Sequence, residues 1–250
     1  MNWVTHIKEL AWGLFAWLSF GLAVLFSLIV VLVVPPAHRR QKLVTWASRM
    51  VFVLPRVHVL VRGMDNLPTD NCVVVANHAS YLDGPLLKGY LPWRFNFVIK
   101  GEMRNFGPAH FLLRCSGSKF VERTDIKGST RDARQLVKAA LGGESLGFFP
   151  EGTFRKEPGV DRFRPGAFVA AIKGDMPVVP IAIGGSRDML PAGGFIPRRG
   201  PLTIDILPAI APGDDEFETS RGLAEASRQR ILAVLDEPDL LEDADPGEST

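Results

Sequence analysis

An uncharged apolar segment near the start of the chain most strongly limits how this sequence can fold. Residues 10–34, LAWGLFAWLSFGLAVLFSLIVVLVV, are 25 consecutive side chains without a formal charge. As a helix this segment would be about 37 Å long, at about 1.5 Å per residue, which is enough to cross a bilayer with some tilt. We therefore expect an N-terminal membrane helix.

The segment is not typical of a cleaved signal peptide. The apolar run is longer than a signal-peptide core, and no small-x-small cleavage site precedes Pro35 and Pro36. Trp12, Trp17 and Gly21 fit a helix that spans the bilayer and also one that lies in its interface. We therefore expect an uncleaved anchor and leave these two arrangements open.

The distribution of charge indicates an anionic partner surface. Residues 214–250 contain 12 acidic and 3 basic side chains, so the rest of the chain is basic although the formal net charge is only +2. Residues 35–63 have no acidic side chain but six basic ones: Arg39, Arg40, Lys42, Arg49, Arg56 and Arg62. Because this stretch directly follows the apolar segment, lipid head groups fit it better than nucleic acid. It also predicts that the remaining chain lies on the cytoplasmic side of the cell (inner) membrane.

Short β-branched or aromatic runs bounded by turn residues predict seven strands. They cover residues 58–62, 72–76, 95–100, 119–122, 146–149, 178–183 and 202–207. Runs such as VVVA and VVPIAI are continuously apolar, which is typical of strands covered by helices on both faces. We therefore predict an α/β fold with a mixed, mostly parallel sheet of about seven strands flanked by helices.

Two amphipathic helices are predicted outside the strands. The first has apolar residues at i, i+3, i+4, i+7 and i+8 from Ala133, with Ser129 or Thr130 as its N-cap and a stop at Gly142. The second covers residues 219–235. The acidic, Pro-containing remainder is predicted to be disordered.

These patterns divide the chain into three parts. Residues 1–45 form the membrane anchor and basic segment, residues 46–235 form one catalytic-sized domain, and residues 236–250 form an acidic tail. Cys72 and Cys115 are too few and too far apart for a disulfide scaffold, so we expect them to be reduced and buried.

The chemistry is expected at the ends of strands. Directly after CVVVA comes NHASYLDGP, in which Asp83 follows His78 by five residues. If Asp83 opens the next helix, its carboxylate can bend back and fix the tautomer of the imidazole, whose other nitrogen is then free to accept a proton. The alternative is that Asp83 is only an N-cap and His78 an ordinary turn residue.

Three further clusters follow predicted strands or form one. GSKFVER places Arg123 at a strand end, where a guanidinium can bind two phosphate oxygens or simply be solvated. FPEGTFR contains Glu151, Gly152, Thr153 and Arg155, which suit an anion site or an ordinary glycine turn. Glu151 would repel a phosphate, so we expect it to orient an arginine or accept a substrate hydroxyl. VVPIAI can line an acyl groove or form a core strand.

In this order and spacing, NHASYLDG, GSKFVER, FPEGTFR and VVPIAI resemble the four sequence blocks of the PlsC-type glycerolipid acyltransferases, the 1-acylglycerol-3-phosphate acyltransferase family. The resemblance covers roughly residues 58–210, and the ordered set is far more specific than any one block. It implies transfer of a fatty acyl group from acyl-CoA or acyl-carrier protein to a lysophospholipid hydroxyl, with no metal, no cofactor and no covalent acyl-enzyme.

The resemblance also implies roles for individual residues. His78 matches the general base and Asp83 the acid that orients it. Four residues match the acceptor-binding positions of the family: Gly117, Arg123, Glu151 and Gly152. Thr153 and Arg155, which follow Gly152, are further candidates for binding the acceptor. Lys100, in a Lys-x-Glu sequence that resembles the family's, is a candidate phosphate contact.

One position departs from the family pattern. The commonest third block reads Glu-Gly-Thr-Arg-Ser, whereas Phe154 occupies the Arg position here and Arg155 follows it. Arg155 or Arg164 would then replace the missing cation. Lysophosphatidic acid is the expected acceptor, while a lyso-ornithine lipid or another lysophospholipid fits the same base.

Other classes of protein fit the sequence less well. Residues 143–147, GESLG, have the letters of a serine-hydrolase elbow but follow a helix and precede a strand, the reverse of the required order. The other four histidines lie far from His78 without metal-ligand spacing. A non-catalytic, membrane-tethered phospholipid-binding protein is the serious alternative, because the arginines would serve it equally well.

Overall fold

The computed structural model describes residues 3–121 and 126–241. The helices are α1 (Trp3–Val33), α2 (Ala37–Val53), α3 (Asp83–Tyr90), α4 (Gly107–Cys115), α5 (Ile126–Leu141), α6 (Gly166–Lys173), α7 (Ser186–Met189) and α8 (Ser220–Leu232). The strands are β1 (Val59–Arg62), β2 (Val73–Ala76), β3 (Asn96–Lys100), β4 (Lys119–Val121), β5 (Leu146–Phe148), β6 (Val178–Gly184) and β7 (Leu202–Ile206). Each predicted strand is present within one residue at either end.

The seven strands form one mixed sheet in the order β1-β7-β6-β2-β5-β3-β4. Five neighbouring pairs are parallel, and only β6 and β7 are antiparallel. The carboxyl ends of β2, β3, β4, β5 and β6 therefore meet at one edge of the sheet. This edge is where the topology of an open α/β sheet places its working groups.

Helices cover both faces of the sheet, as predicted. One core contains apolar side chains of α2, α3 and α7, and the other contains those of α5, α6 and α8. All residues from Val178 to Ile183 of β6 are buried. The VVPIAI block is therefore a core strand rather than the wall of an acyl groove.

The two predicted amphipathic helices are present with shifted starts. The backbone is already helical at Ile126, so neither Ser129 nor Thr130 is the N-cap of α5. A polar residue inside a first helical turn gives the same local pattern as a cap, which explains the error. The second helix, α8, is capped by Thr219, whose Oγ1 accepts a hydrogen bond from the N–H of Gly222 at 3.0 Å.

The apolar N-terminal segment forms α1, of which residues Thr5–Val33 are long and apolar enough to cross a membrane. One stripe of α1 is buried, at Trp12, Ser19, Ala23, Ser27 and Val30. This spacing is that of one helical face. The opposite face leaves large apolar side chains exposed: Leu10, Leu14, Phe15, Leu18, Leu22, Leu25, Phe26, Ile29 and Leu32 among them.

The buried stripe of α1 packs on the rest of the chain along most of its length. The indole N–H of Trp12 donates to the carbonyl of Pro55 at 3.0 Å. Near the other end, Val30 packs with Val44 of α2 and Leu112 of α4. The predicted boundary at residues 45 and 46 falls inside α2, which packs on both α1 and α3.

Residues 236–241, which the sequence predicts to be disordered, pack on the loop between β5 and α6. Asp239 pairs with Arg228, which is only 1% exposed, and Glu237 pairs with Arg187 at 3.0 Å. Arg228 also donates to the carbonyl of Val160 at 3.1 Å. Two arginines that need carboxylate partners therefore hold this acidic segment, so low apolar content did not prevent order.

Candidate active site

The turn after β2 brings an imidazole to a carboxylate. Nδ1 of His78 lies 2.9 Å from Oδ2 of Asp83. The Asp83 side chain is fully buried, whereas the His78 side chain is 19% exposed. Within the described parts of the chain, Nε2 of His78 has no hydrogen-bond partner. The imidazole is therefore oriented on one side and available to take a proton on the other.

Asp83 also fixes the shape of this turn. Its Oδ2 accepts hydrogen bonds from the backbone N–H groups of Ala79 at 2.7 Å and Ser80 at 2.8 Å. Asp83 is the first residue of α3, whose N-cap is Leu82 without a side-chain capping bond. Asp83 is thus not an N-cap, and one buried carboxylate holds both the imidazole and the backbone beside it.

Two residues to which the sequence interpretation gave no role anchor the turn. The side-chain amide of Asn77 donates to the carbonyl of Ile183 at 3.0 Å and accepts from its N–H at 2.7 Å. The hydroxyl of Ser80 donates to the carbonyl of Leu190 at 2.8 Å. These bonds join the His78 turn to β6 and to the end of α7. The only indication of these roles in the sequence was that a polar residue, Asn77, directly precedes the candidate base His78.

Glu151 supports the same turn from the segment that follows β5. Its Oε1 accepts from the backbone N–H of His78 at 2.7 Å, and its Oε2 accepts from the N–H of Asp161 at 3.2 Å. Both oxygens are therefore engaged with backbone rather than with an arginine. Burial raises the pKa of Glu151 to about 7, although these two hydrogen bonds act in the opposite direction.

The hydrogen bonds of the turn limit where a developing oxyanion can be stabilised. The N–H groups of His78, Ala79 and Ser80 all donate to buried carboxylates. The N–H of Gly152 donates to the carbonyl of Phe149 at 3.0 Å. An oxyanion beside His78 therefore needs donors other than these four amides.

The raised pKa of Glu151 predicts a pH-dependent term in stability. The folded state favours the neutral carboxyl, so this contribution is complete below the ordinary pKa of 4.5 and is lost as pH rises through about 7. Relative to Glu151→Gln, the wild-type free energy of unfolding is expected to fall over this range and then level off. Chemical denaturation in detergent at several pH values measures the free energy of unfolding of the wild type and of Glu151→Gln. A constant difference between them would contradict the raised pKa.

Aromatic rings form a wall beside the imidazole. Phe149 stacks on His78 with ring centroids 4.3 Å apart. Phe154 meets His78 edge to face at 4.7 Å and also meets Tyr81 at 4.7 Å. The residue that replaces the arginine of the third block is therefore an aromatic contact of His78. It makes this side of the site apolar where a cation was expected.

The predicted cationic residues differ in their placement. Lys100 ends β3 at the same edge of the sheet as His78. Arg155 is 60% exposed and pairs with Asp161 at 2.7 Å. Arg164 is exposed in the same loop. Arg123 lies outside the described residues.

The three other predicted site residues lie at opposite edges of the sheet. Gly152 has a φ of +86°, which glycine adopts without strain, and Thr153 beside it is exposed. Gly117 precedes β4, so it lies at the amino ends of the strands, away from His78. A Cβ there would lie 2.2 Å from Oδ1 of Asn96. Gly117 is therefore required for close packing at that edge.

A small, shallow apolar cleft adjoins the turn. Its lining includes Trp12, Phe20, Phe52, Leu82 and Met189, contributed by α1, α2 and the segments after β2 and β6. Leu82 immediately precedes Asp83. The cleft therefore joins the exposed apolar helix to the region of the His78–Asp83 pair.

The described residues offer no obvious metal site. Across residues 3–121 and 126–241, no group of three His, Cys, Asp or Glu side chains is arranged to hold a metal ion. Both cysteines are free, but Cys115 is only partly buried, contrary to expectation, whereas burial raises the pKa of Cys72 to about 11. Cys72 is therefore a neutral core residue at physiological pH.

Comparison with known proteins agrees with this geometry. The sequence model of the Acyltransferase family matches residues 58–184, which include His78, Asp83 and Glu151. The chain belongs to the Acyltransferase family. Within this family, it is 30% identical over 214 residues to the lyso-ornithine lipid O-acyltransferase of Pseudomonas aeruginosa, covering 78% of this chain and 80% of that protein.

Other members of the family share a shorter region. The chain is 31% identical over 150 residues to a chloroplastic 1-acyl-sn-glycerol-3-phosphate acyltransferase of Brassica napus, covering 59% of this chain and 43% of that protein. The matched region covers about half or less of the length of this relative and of the relatives from Arabidopsis thaliana and Chlamydomonas reinhardtii.

The fold of the family extends over most of this chain. The crystal structure of the 1-acyl-sn-glycerophosphate (LPA) acyltransferase PlsC from Thermotoga maritima superimposes with a TM-score of 0.75 at 23% identity. The superposition covers 90% of this chain and 94% of the other. The two proteins therefore share one architecture, including the mixed sheet.

Proposed function

We propose that this chain transfers a fatty acyl group from an acyl-CoA or acyl-carrier-protein thioester to the hydroxyl of 1-acylglycerol-3-phosphate, giving phosphatidic acid. The observation that carries the proposal is the 2.9 Å contact between Nδ1 of His78 and Oδ2 of Asp83 at the carboxyl edge of the sheet. Transfer is direct, without a metal, a cofactor or a covalent acyl-enzyme.

His78 acts as the general base. Its Nε2 removes the proton from the acceptor hydroxyl as the oxygen attacks the thioester carbonyl. The tetrahedral intermediate then breaks its C–S bond, and the leaving thiolate takes the proton back from the imidazolium. Asp83 keeps Nδ1 protonated and stabilises the positive charge that forms on the ring.

Cationic residues at the same edge hold the acceptor. Lys100 and Arg155 supply positive charge there, and Arg123 is proposed to join them. Arg155 is oriented by Asp161, whose N–H donates to Glu151. Fixing the phosphate in this way makes attack on the thioester effectively intramolecular.

Helix α1 keeps the site at the membrane surface. Its contacts with the rest of the chain extend from Trp12 to Val30, about 27 Å along the helix at about 1.5 Å per residue. A helix that crossed the bilayer with these contacts intact would carry the domain into the hydrocarbon. We therefore place α1 in the interface, its exposed apolar face in lipid and the domain on the cytoplasmic side of the cell (inner) membrane.

A lyso-ornithine lipid is the second candidate acceptor. Phe154 replaces the usual arginine and packs on His78, which removes one cation from the acceptor side of the site. The Pseudomonas aeruginosa relative, which matches 78% of this chain, is named for that acceptor. An acceptor without a terminal phosphate would need fewer cations.

A panel of substrates distinguishes these candidates. Purified protein in detergent is given lysophosphatidic acid, lyso-ornithine lipid and other lysophospholipids, each with acyl-CoA or acyl-carrier-protein thioester, and products are identified by mass. Acylation of lysophosphatidic acid is expected to be fastest. A preference for lyso-ornithine lipid would favour the second candidate. Folded protein that binds lysolipids but acylates none of them would favour a non-catalytic phospholipid-binding protein.

Removal of Arg155 is expected to weaken binding of the acceptor more than it slows acyl transfer to the bound acceptor. Arg155→Ala should raise the KM for lysophosphatidic acid about tenfold, because one charge-assisted contact to phosphate is lost. The kcat should change little. Steady-state kinetics at varied acceptor concentration measure both constants.

The control for Arg155→Ala is Arg221→Ala, which removes an exposed arginine near the start of α8. This variant should retain the wild-type KM. If Arg155→Ala leaves the KM for lysophosphatidic acid unchanged, Arg155 does not bind the acceptor phosphate.

A further inference from the structure

The segment between α7 and β7 presents apolar side chains to solvent. Residues 191–199, PAGGFIPRR, form the 191–199 loop. Phe195 is 84% exposed, the highest value among the described large apolar side chains, and Ile196 is 45% exposed. Arg198 and Arg199 follow and are also exposed. An aromatic and an aliphatic side chain next to two arginines form an amphipathic tip without a role in the acyl-transfer chemistry.

The 191–199 loop is attached to α1. The indole N–H of Trp17 donates to the backbone carbonyl of Phe195 at 2.6 Å. The guanidinium of Arg199 lies 5.6 Å from the ring centroid of Trp12. A Cβ on Gly13 would lie 2.5 Å from Cγ2 of Ile196, so the helix backbone approaches the loop closely. The loop therefore keeps a fixed position beside the helix.

The exposed tip continues the exposed apolar face of α1. Near the loop this face includes Leu10, Leu14 and Leu18, which are 45%, 59% and 57% exposed. Phe195 and Ile196 extend that face sideways and make one larger apolar surface. A contiguous surface of this kind marks an interaction site rather than a scattered set of exposed residues. Adjacent arginines match phosphate groups at the boundary of a bilayer, where aromatic side chains are also favoured.

The same loop adjoins the candidate active site. The loop follows Leu190, whose carbonyl accepts the hydroxyl of Ser80 at 2.8 Å. Ser80 belongs to the turn that Asp83 holds beside His78. At Gly193, a Cβ would lie 3.3 Å from the Lys156 side chain, in the segment that follows Arg155. The loop thus connects the catalytic turn, the cationic segment and α1.

We propose that the 191–199 loop is a second membrane-inserting element beside α1. Phe195 and Ile196 enter the acyl-chain boundary, while Arg198 and Arg199 bind the phosphates of anionic lipids. The loop then sets the height of His78 above the hydrocarbon, where an acceptor hydroxyl lies. Only this last consequence rests on the proposed function, since insertion of the loop is independent of catalysis.

A fluorescent probe tests insertion directly. Phe195→Cys is made in a Cys115→Ser chain and labelled with an environment-sensitive fluorophore; Cys72 is 0% exposed and does not compete. The protein is incorporated into vesicles of phosphatidylcholine and phosphatidylglycerol in equal parts. The emission is expected to shift to the blue and to be quenched by lipids that carry a nitroxide near the glycerol end of the acyl chain.

The matched control is Arg221→Cys in the same Cys115→Ser chain. Arg221 is exposed on α8, which packs on the opposite face of the sheet. Its probe should keep a polar emission and be quenched by aqueous iodide instead. If the probe at position 195 behaves like the probe at position 221, the loop does not insert and the proposal is wrong.

Activity provides a second readout. Phe195→Ser is expected to acylate an acceptor embedded in vesicles about tenfold more slowly, since burial of one aromatic side chain in the interface is lost. A short-chain acceptor dissolved as monomers should be acylated at the wild-type rate. Equal losses on both acceptors would overturn the membrane role. Absence of activity in the wild type would refute the proposed function while leaving the fluorescence result intact.

Discussion

Replacement of His78 by alanine is expected to lower kcat for acyl transfer by about 10²- to 10⁴-fold. Nε2 of His78 takes the acceptor proton, and no other described group occupies the position that Asp83 orients at 2.9 Å. The KM for the acceptor should change much less, because the phosphate contacts are made by other side chains. Single-turnover acylation with radiolabelled thioester measures the rate of acyl transfer in both proteins and can detect a 10²- to 10⁴-fold decrease.

Two controls separate proton transfer from packing. His78→Phe keeps a ring against Phe149 and Phe154 but cannot accept a proton, so it should be as inactive as His78→Ala. His58→Ala, which removes an exposed histidine elsewhere, should be fully active. Undiminished acyl transfer by His78→Ala would remove this residue from the mechanism.

Replacement of Asp83 by asparagine is expected to reduce kcat by a similar factor, about 10²- to 10⁴-fold. An amide carries no negative charge, so it cannot stabilise the imidazolium as a carboxylate does. The backbone N–H groups of Ala79 and Ser80 can still find the amide oxygen, so the turn should persist. Steady-state kinetics and unfolding by denaturant distinguish the loss of activity from a loss of fold.

Asp83→Ala is the more disruptive variant. It leaves the buried N–H groups of Ala79 and Ser80 without their acceptor, which should cost about 2–5 kcal/mol in the free energy of unfolding. Asp83→Asn should lose less stability and nearly as much activity. If Asp83→Asn retains the wild-type rate, Asp83 serves only the backbone and the proposed pair is wrong.

Much of the fold could be predicted because strands buried on both faces have a local signature. The runs at residues 72–76, 146–149 and 178–183 are apolar without alternation, and each forms a central strand. The order of the strands in the sheet could not be derived from these runs. It depends on pairing between distant segments, such as β1 with β7.

The central pair of the site was accessible from the sequence because it is local. His78 and Asp83 are five residues apart, and one turn at a strand end is enough to join them. The role of Glu151 was not accessible in this way. It lies 73 residues from His78, and only the pairing of β2 with β5 brings its carboxylate to the backbone of the turn.

Two other site residues show the limits of motif spacing. Gly117 lies before β4 and therefore at the edge of the sheet away from His78, although its motif also contains Arg123. Phe154 was treated as a missing cation, whereas the structure makes it a ring contact of His78. Linear spacing indicates neither which end of a strand a residue occupies nor which ring it meets.

The contact between Arg228 and Asp239 makes the stability effects of substitutions at these two positions interdependent. Loss of Asp239 alone would leave the Arg228 guanidinium, which is 1% exposed, with only the longer 3.5 Å contact to Glu225 among the described carboxylates, at a cost of up to about 3–5 kcal/mol. Exchanging both for well-packed apolar residues would cost far less, because no uncompensated charge remains. Asp239, although it lies beyond the last described helix, is therefore constrained like a core residue by an arginine of α8 eleven residues upstream.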